Sequence, residues 1–313
     1  MTQVVVIGAT NVRVPALGIG AWAWGDRFAW DYGRDYGDAD VQAAFEAGLA
    51  AGVNFFDTAE IYGFGRSERL LGRFVHDVGQ PIVIATKFAP APWRLRRGSL
   101  LRALRGSLWR LGLPRVDLYQ IHWPAWVSIE TWMEAMADAV EAGLTRAVGV
   151  SNYDLSQMQR AREALGRRGV PLASNQVEYS LLHRAPERNG VLNACRELGV
   201  TLIAYSPLAM GMLTGRYAPD NPPPGFRGRR WNRERLARIQ PLIARLREIG
   251  ERHGGKTPAQ VALNWTMRKG TLPIPGAKNA RQAQENVGAL GWSLTADEIA
   301  ALDEASELRL NHG

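Results

Sequence analysis

Short apolar runs alternate with longer amphipathic segments over most of the chain. The runs are rich in β-branched and aromatic residues, whereas the segments between them have the pattern of amphipathic helices. This alternation is typical of repeated β-α units, in which parallel strands are covered by helices. Eight runs are predicted to be strands, and they occupy residues 16–22, 54–59, 82–87, 116–122, 145–151, 173–177, 201–206 and 271–276.

Helix-capping residues mark the start of the segments between these strands. The first four helices are predicted to begin at Asp38, Ser67 with Glu68, Ser99 and Ser128. The later helices are predicted to begin at Asp154, Pro186, Thr257 with Pro258, Ala280 and Thr295. These later helices are predicted to end near residues 168, 198, 268, 288 and 302.

Eight strands with covering helices and no break in composition predict a single α/β domain over residues 1–313, a (β/α)8 TIM barrel. Before the first strand, residues 4–7 and 12–14 flank a turn at 8–11 and predict an N-terminal β-hairpin that closes the barrel floor. Residues 218–231 form a Pro- and Gly-rich insertion after the seventh strand, and its position within a repeat favours a lid.

A doubly wound dinucleotide-binding sheet is the alternative architecture. Gly18, Gly20 and Ala23 match its G-x-G-x-x-A fingerprint, but residues 24–26 do not begin a helix. Because that fingerprint needs a helix directly after it, the match is interpreted as accidental.

The composition is that of an ordinary globular protein, with 46% hydrophobic and 22% charged residues among 313. The single cysteine, Cys195, excludes an internal disulfide and fits a reducing compartment. The N-terminus has no basic segment followed by an apolar one, and apolar runs stay well below the ~20 residues that span a bilayer. A cytoplasmic protein with no membrane partner is therefore predicted.

The net charge of +8 raises the alternative of a nucleic-acid partner. The arginines are dispersed along the predicted helices, which favours solvated outer faces and no nucleic-acid partner. One denser cluster, formed by Arg94, Arg96 and Arg97, follows the third strand and leaves open an attraction for a carboxylate or phosphate on a substrate. The oligomeric state is left open.

Four ionisable residues lie at or just past the carboxyl ends of successive strands: Asp57, Tyr62, Lys87 and His122. In a barrel these ends converge on one rim, where active sites of this fold are found. Each residue alone has an ordinary structural explanation, but four on consecutive strand ends indicate a catalytic centre.

Six segments resemble motifs of the aldo-keto reductase family, in the family's order and at similar spacing. They are residues 54–63, 65–68, 85–87, 120–122, 148–152 and 273–278. The resemblance covers nearly the whole chain. It implies a (β/α)8 barrel that binds NADPH in an extended form and reduces aldehydes and ketones to alcohols without a metal.

Carbonyl reduction needs a hydride at carbon and a proton at the developing alkoxide. A free tyrosine titrates near ~10, so Tyr62 as the proton donor needs its phenolate stabilised. If the ammonium of Lys87 lies ~4 Å from the phenolate oxygen, their electrostatic attraction is about 4 kcal/mol at an effective dielectric near 20. This attraction is expected to lower the pKa of Tyr62. Asp57 is expected to hold Lys87 charged, and His122 to donate a hydrogen bond to the carbonyl oxygen.

The resemblance also implies a cofactor site along the strand ends. The residues assigned to it are Ala21, Trp22, Asp57, Ser151, Asn152, Gln176, Tyr205, Ser206, Pro207, Leu208, Gly211, Thr214, Arg216, Gly276, Lys278, Gln282, Glu285 and Asn286. At the adenosine end, a helix N-terminus and Lys278 are expected to meet the 2′-phosphate. Gln282 stands where many relatives carry arginine, so the expected preference for NADPH rests mainly on Lys278.

Aromatic side chains near the rim are assigned to the substrate pocket: Trp24, Phe88, Trp93 and Trp123. No metal is expected, because the five histidines are scattered and none has a metal-ligand spacing. The alternative function is an NADPH-binding regulatory subunit, since β subunits of voltage-gated potassium channels share this fold and the same four catalytic residue types.

Overall fold

A computed structural model describes residues 3–307 of the chain. Its main sheet contains eight parallel strands in chain order. They are β3 (Ile19–Gly20), β4 (Phe55–Asp57), β5 (Val83–Phe88), β6 (Val116–Ile121), β7 (Thr145–Ser151), β8 (Leu172–Glu178), β9 (Thr201–Tyr205) and β10 (Leu272–Pro273). A parallel bridge between Gly20 and Gly276 joins the first strand to the segment after the last, which closes the barrel. All eight predicted strands and the barrel are confirmed.

The hairpin before the barrel pairs β1 (Val4–Val6) with β2 (Arg13–Pro15) in antiparallel register. Beside it, Ile7, Val12 and Val14 are buried against an apolar layer contributed by the barrel strands. Gly8 lies so close to the barrel that an added Cβ would come within 2.5 Å of the Ala173 carbonyl oxygen. The predicted hairpin therefore exists and packs across one end of the barrel.

Twelve α-helices lie within residues 3–307. They are α1 (Asp38–Ala50), α2 (Arg66–His76), α3 (Arg97–Leu111), α4 (Ile129–Glu141), α5 (Leu155–Gly166), α6 (Ala185–Arg188), α7 (Val191–Glu197), α8 (Gly225–Arg230), α9 (Arg233–Arg252), α10 (Pro258–Arg268), α11 (Ala280–Val287) and α12 (Ala296–Ser306). The predicted N-caps of α4, α5, α10 and α12 are confirmed, since each side chain accepts a hydrogen bond from the first turn.

Two predicted helix starts are wrong. Ser67 lies inside α2, where its hydroxyl donates to the Ala21 carbonyl and contacts Thr58 instead of capping. Ser99 lies inside α3, which begins at Arg97. The helix predicted from Pro186 is divided into α6 and α7 at Gly190, which has a left-handed φ of 81°.

The insertion at residues 218–231 contains α8 and is followed by α9, the longest helix described, which the sequence analysis did not predict. Arg227 of α8 donates a hydrogen bond to the Met210 carbonyl at 3.3 Å. Its guanidinium also lies over the Trp30 ring, 5.4 Å from the centroid. Trp30 belongs to the segment between β3 and α1, so the insertion meets that segment across the carboxyl end of the barrel.

Among residues 3–307, no helix combines the length and the apolarity needed to cross a bilayer. The same part of the chain contains no cluster of three or more His, Cys, Asp or Glu side chains arranged to hold a metal.

Candidate active site

The ends of β4 and β5 bring Asp57 and Lys87 together inside the barrel. Both side chains are buried, and the Lys87 ammonium forms an ion pair with Oδ1 of Asp57. Lys87 Nζ also donates to the Thr58 carbonyl at 2.9 Å and lies 3.4 Å from the Tyr62 hydroxyl. Charge and hydrogen bonds therefore connect Asp57, Lys87 and Tyr62.

A tight turn places Tyr62 over this pair. Gly63 has a φ of 54°, and a Cβ there would lie 2.5 Å from the Gly25 carbonyl oxygen, so the position requires glycine. Phe64 and Gly65 follow with φ of 56° and 80°. Three consecutive left-handed residues thus direct the Tyr62 phenol back toward the barrel axis.

The pKa of Tyr62 is raised well above its usual value, first by burial and then by the nearby charge of Asp57. This differs from the expectation that Lys87 lowers it. The reason is that Lys87 is paired with Asp57, so its positive charge is largely offset, while desolvation of a phenolate at the bottom of the cleft remains. Tyr62 is therefore a neutral phenol at neutral pH.

His122 follows β6 and stands beside Tyr62, with the two rings edge to face and 5.7 Å apart. Its pKa is lowered well below the usual value by burial and by the positive charge of Lys87. The ring is therefore neutral at neutral pH. Its Nδ1 atom is buried and has no hydrogen-bond partner among the described residues.

A cleft of about 1200 Å³ runs from Tyr62 and His122 to the start of α11. It is lined by every residue assigned to the cofactor except one: Trp22, Asp57, Ser151, Asn152, Gln176, Tyr205, Ser206, Pro207, Leu208, Gly211, Thr214, Arg216, Gly276, Lys278, Gln282, Glu285 and Asn286. The exception is Ala21, which is fully buried and accepts a hydrogen bond from Ser67 through its carbonyl. Ala21 thus supports the wall of the cleft and does not line it.

Polar groups from three strand ends cluster beside Tyr62. The Ser151 hydroxyl donates to the Gln176 carbonyl at 2.7 Å, and the Tyr205 hydroxyl donates to Oδ1 of Asn152 at 3.1 Å. The Asn152 amide donates to the His122 carbonyl at 3.0 Å. These contacts hold Ser151, Asn152 and Tyr205, which the sequence analysis assigned to the cofactor site.

The far end of the cleft carries four cations: Arg216, Arg227, Lys278 and Arg281. Within residues 3–307, none of these four side chains forms an ion pair with a carboxylate at 4.0 Å or less. Lys278 Nζ donates to the Trp30 carbonyl at 3.1 Å and lies 4.5 Å from the centre of the Tyr36 ring. Burial, together with the charge of Arg227, lowers the pKa of Lys278 to about 8.

Gln282 stands at the start of α11 near these cations. Its Oε1 atom accepts a hydrogen bond from the backbone N–H of Lys278 at 2.9 Å. The side chain thus stabilises the turn that leads into the helix.

Three residues assigned to the substrate pocket lie elsewhere. Trp24 is fully buried against Phe56 and Phe74, and its indole donates to the Ala277 carbonyl. Phe88 is fully buried against Trp132, and Trp93 is 81% exposed outside the cleft. Strand-end position alone does not decide on which side of the barrel wall an aromatic side chain packs. Trp123 does line the cleft.

Two members of the arginine cluster after β5 are already paired. Arg94 forms an ion pair with Glu60, and Arg97 forms one with Asp138. These pairs leave little of the positive charge that the sequence analysis considered for an anionic substrate.

The structure adds cleft residues that the sequence analysis did not assign: Trp30, Tyr36, Ile61, Met210, Tyr217 and Arg227. Most of them come from the two irregular segments that meet across the cleft. The density of aromatic residues between residues 22 and 36 was the available signal for the first segment.

The chain is similar to known proteins over nearly its whole length. The model of the "Aldo/keto reductase family" matches residues 16–307. The chain is 43% identical to the chloroplastic pyridoxal reductase of Arabidopsis thaliana, over 95% of this chain and 84% of that protein. It is 41% identical to an uncharacterized oxidoreductase of Mycobacterium bovis, over 94% of this chain and 90% of that protein. The crystal structure of an aldo/keto reductase from Klebsiella pneumoniae with NADP and acetate superposes with a TM-score of 0.79 at 29% identity, covering 100% of this chain and 98% of that one.

Proposed function

The chain belongs to the aldo/keto reductase family, and we propose that it reduces the carbonyl group of an aldehyde or ketone to an alcohol, with NADPH as the cofactor. The observation that carries this proposal is the buried connection between Asp57, Lys87 and Tyr62 at the head of a long cleft. It presents a neutral phenol beside a cation, which is the arrangement needed to protonate an oxygen that gains negative charge.

The cleft residues fit NADPH from one end to the other. Ser151, Asn152 and Gln176 offer amide and hydroxyl groups for a carboxamide, and Tyr205 offers a flat face beside them. At the other end, Arg216 and Lys278 supply positive charge for phosphate groups. The N-terminus of α11 also lies at this end, and the positive end of a helix dipole favours an anion.

When bound, NADPH supplies the hydride for the carbonyl carbon. Tyr62 donates the proton to the carbonyl oxygen, so that hydride and proton together give the alcohol. His122, held neutral, donates a hydrogen bond that orients this oxygen. Lys87, at 3.4 Å from the Tyr62 hydroxyl, is the cation nearest to the phenolate left behind and donates a hydrogen bond toward its oxygen. Asp57 holds the Lys87 ammonium in place.

Aromatic aldehydes are the substrate class that the cleft favours. Trp22, Ile61 and Trp123 line its catalytic end, and they offer apolar faces for a planar ring. The identity with a pyridoxal reductase makes pyridoxal a specific candidate within this class.

The test is a carbonyl screen with purified protein, in which NADPH consumption is followed by absorbance and the alcohol is identified by chromatography. We expect turnover of 4-nitrobenzaldehyde and pyridoxal, and slower turnover of small aliphatic ketones. If NADPH binds tightly but no compound yields an alcohol, reductase activity is rejected and a regulatory role in binding NADPH takes its place.

A further inference from the structure

Gln120 is a buried amide inside the barrel that the proposed chemistry does not yet use. It lies in β6, two residues before His122, and it is fully buried. Its Nε2 atom donates to Oδ2 of Asp57 at 3.1 Å, on the carboxylate oxygen that Lys87 does not occupy. The side chain therefore contacts the ion pair from behind the catalytic surface.

The surroundings of Gln120 are built to hold this side chain. Its Oε1 atom accepts from the Ser174 hydroxyl at 3.4 Å and from Gln176 Nε2 at 3.3 Å. Gly149 makes room for them, because a Cβ there would lie 2.1 Å from Ser174 Oγ and 3.3 Å from Gln120 Cγ. Both ends of the amide are thus satisfied in a site where an unpaired polar atom is costly.

Gln176 donates to the same oxygen of Asp57, at 2.9 Å, but its position differs. Gln176 lines the cleft, where a bound ligand can compete for its amide, whereas Gln120 does not line the cleft. Gln120 is therefore the donor to Asp57 that lies outside the cleft, where a bound ligand does not compete for its amide.

We propose that Gln120 is a positioning residue for carbonyl reduction, which keeps the Asp57 carboxylate oriented toward Lys87 when the cofactor engages Gln176. This inference rests on the proposed function. Gln120 contacts Asp57, Asp57 holds Lys87, and Lys87 lies beside Tyr62. Gln120 itself touches no reacting atom. A hydrogen bond to a buried charge contributes about 1.5 to 3 kcal/mol, which corresponds to roughly tenfold to a hundredfold in rate if the contact is needed for turnover.

Two substitutions separate positioning from simple space filling. Gln120→Met keeps the volume and removes the donor at every pH. Gln120→Glu restores a donor only while the introduced carboxyl is protonated. The charged and titratable groups around this position are Asp57 from β4, Lys87 from β5, and Tyr62 and His122 at the rim. Burial beside Asp57 raises the pKa of the introduced carboxyl above its ordinary ~4.3.

The measurement is kcat for 4-nitrobenzaldehyde from about pH 5 to pH 9, together with NADPH affinity from tryptophan quenching. We expect Gln120→Met to lower kcat by about tenfold or more at all pH values, with the dissociation constant of NADPH changed by no more than about twofold. Gln120→Glu is expected to approach wild type at acid pH and to lose activity as pH rises. Ser174→Ala is the control, since it removes a neighbour of Gln120 but keeps the contact with Asp57.

Three results overturn the proposal: a Met variant with wild-type kcat, a Glu variant whose profile parallels that of wild type, or a Ser174→Ala variant as impaired as the Met variant. Melting temperature provides a readout that does not depend on turnover. The Glu variant should lose stability relative to wild type as pH rises, whereas the deficit of the Met variant should stay constant. If wild type binds NADPH but reduces no carbonyl compound, the proposed function fails, and the melting profiles still show whether Gln120 holds Asp57.

Discussion

Tyr62 is a protonated phenol held beside a cation, and the turn that holds it has little freedom. Gly63, Phe64 and Gly65 all have left-handed backbone angles, and Gly63 packs against the Gly25 carbonyl. The raised pKa of Tyr62 keeps its proton in place at neutral pH. In the proposed reaction this proton leaves only when negative charge develops on the substrate oxygen, and Lys87 then becomes the nearest countercharge.

Replacing Tyr62 by Phe removes this proton and few other contacts. We expect Tyr62→Phe to lower kcat for 4-nitrobenzaldehyde by about a hundredfold or more, because general acid catalysis contributes at least that much. NADPH affinity, measured by tryptophan quenching, should stay nearly unchanged. Turnover within about tenfold of wild type would show that another group donates the proton.

His122 provides a prediction about stability and pH. Its pKa in the folded protein lies well below the unfolded value of ~6.5, so the unfolded chain binds the proton more readily. The free energy of unfolding should therefore fall as pH drops below ~6.5, by up to about 1.4 kcal/mol per pH unit. His122→Asn should reduce this slope in urea unfolding. His76→Asn is the matched control, since it removes an exposed histidine by the same substitution.

The candidate catalytic residues could be predicted from the sequence because their positions follow from strand ends. Lys87 and His122 are the last residues of predicted strands, and Asp57 lies near the end of the predicted strand 54–59. Parallel register brings such ends to one rim. Trp24 and Phe88 could not be assigned in this way. Both lie close to strand ends, but their side chains face the layer between strands and helices, a choice made by tertiary packing.

Lys278 lies just before α11, at the positively charged end of the cleft. Lys278→Ala should weaken NADPH binding by roughly tenfold to a hundredfold and leave NADH binding unchanged, since a charge-assisted contact to the 2′-phosphate is about 1.5 to 3 kcal/mol. With the pKa of Lys278 near 8, the wild-type preference for NADPH should also decline as pH rises past that value. Titration with each cofactor at fixed ionic strength measures both effects. If binding of NADPH and NADH weakens equally, Lys278 stabilises the loop and does not contact the 2′-phosphate.

The insertion at residues 218–231 provides a prediction about cofactor release. Arg227 connects α8 to Trp30 across the cleft, so Arg227→Gln should loosen this contact and speed the dissociation of both cofactors several-fold. Stopped-flow displacement measures the rate. Arg229→Gln, an exposed residue of the same helix, is the matched control. Unchanged release in the Arg227 variant would mean that the insertion does not act as a lid.

Element boundaries were predicted well where a cap or an apolar strand marks them and poorly elsewhere. The strands and the caps Ser128 and Thr257 follow from local patterns. The helix α9 was missed, because it is rich in arginine and glutamate and has Pro241 in its interior. Its buried face, which includes Leu236 and Ile243, becomes evident only through packing.

As a whole molecule, the chain is proposed to fold as one domain. The sheet closes through the Gly20–Gly276 bridge, so that the first and last repeats share one barrel. Urea unfolding followed by tryptophan fluorescence and by far-UV circular dichroism should give coincident single transitions. Separate transitions would show that part of the chain folds as an independent unit.

The hairpin at the barrel floor has a consequence for how the proton of Tyr62 is replaced during turnover. Its apolar residues, with the strand residues above them, close the end of the barrel opposite the cleft. In the proposed reaction, a proton lost by Tyr62 must be replaced from solvent through the cleft, by the route that the product takes to leave. Product release and reprotonation of Tyr62 therefore use the same opening of the barrel.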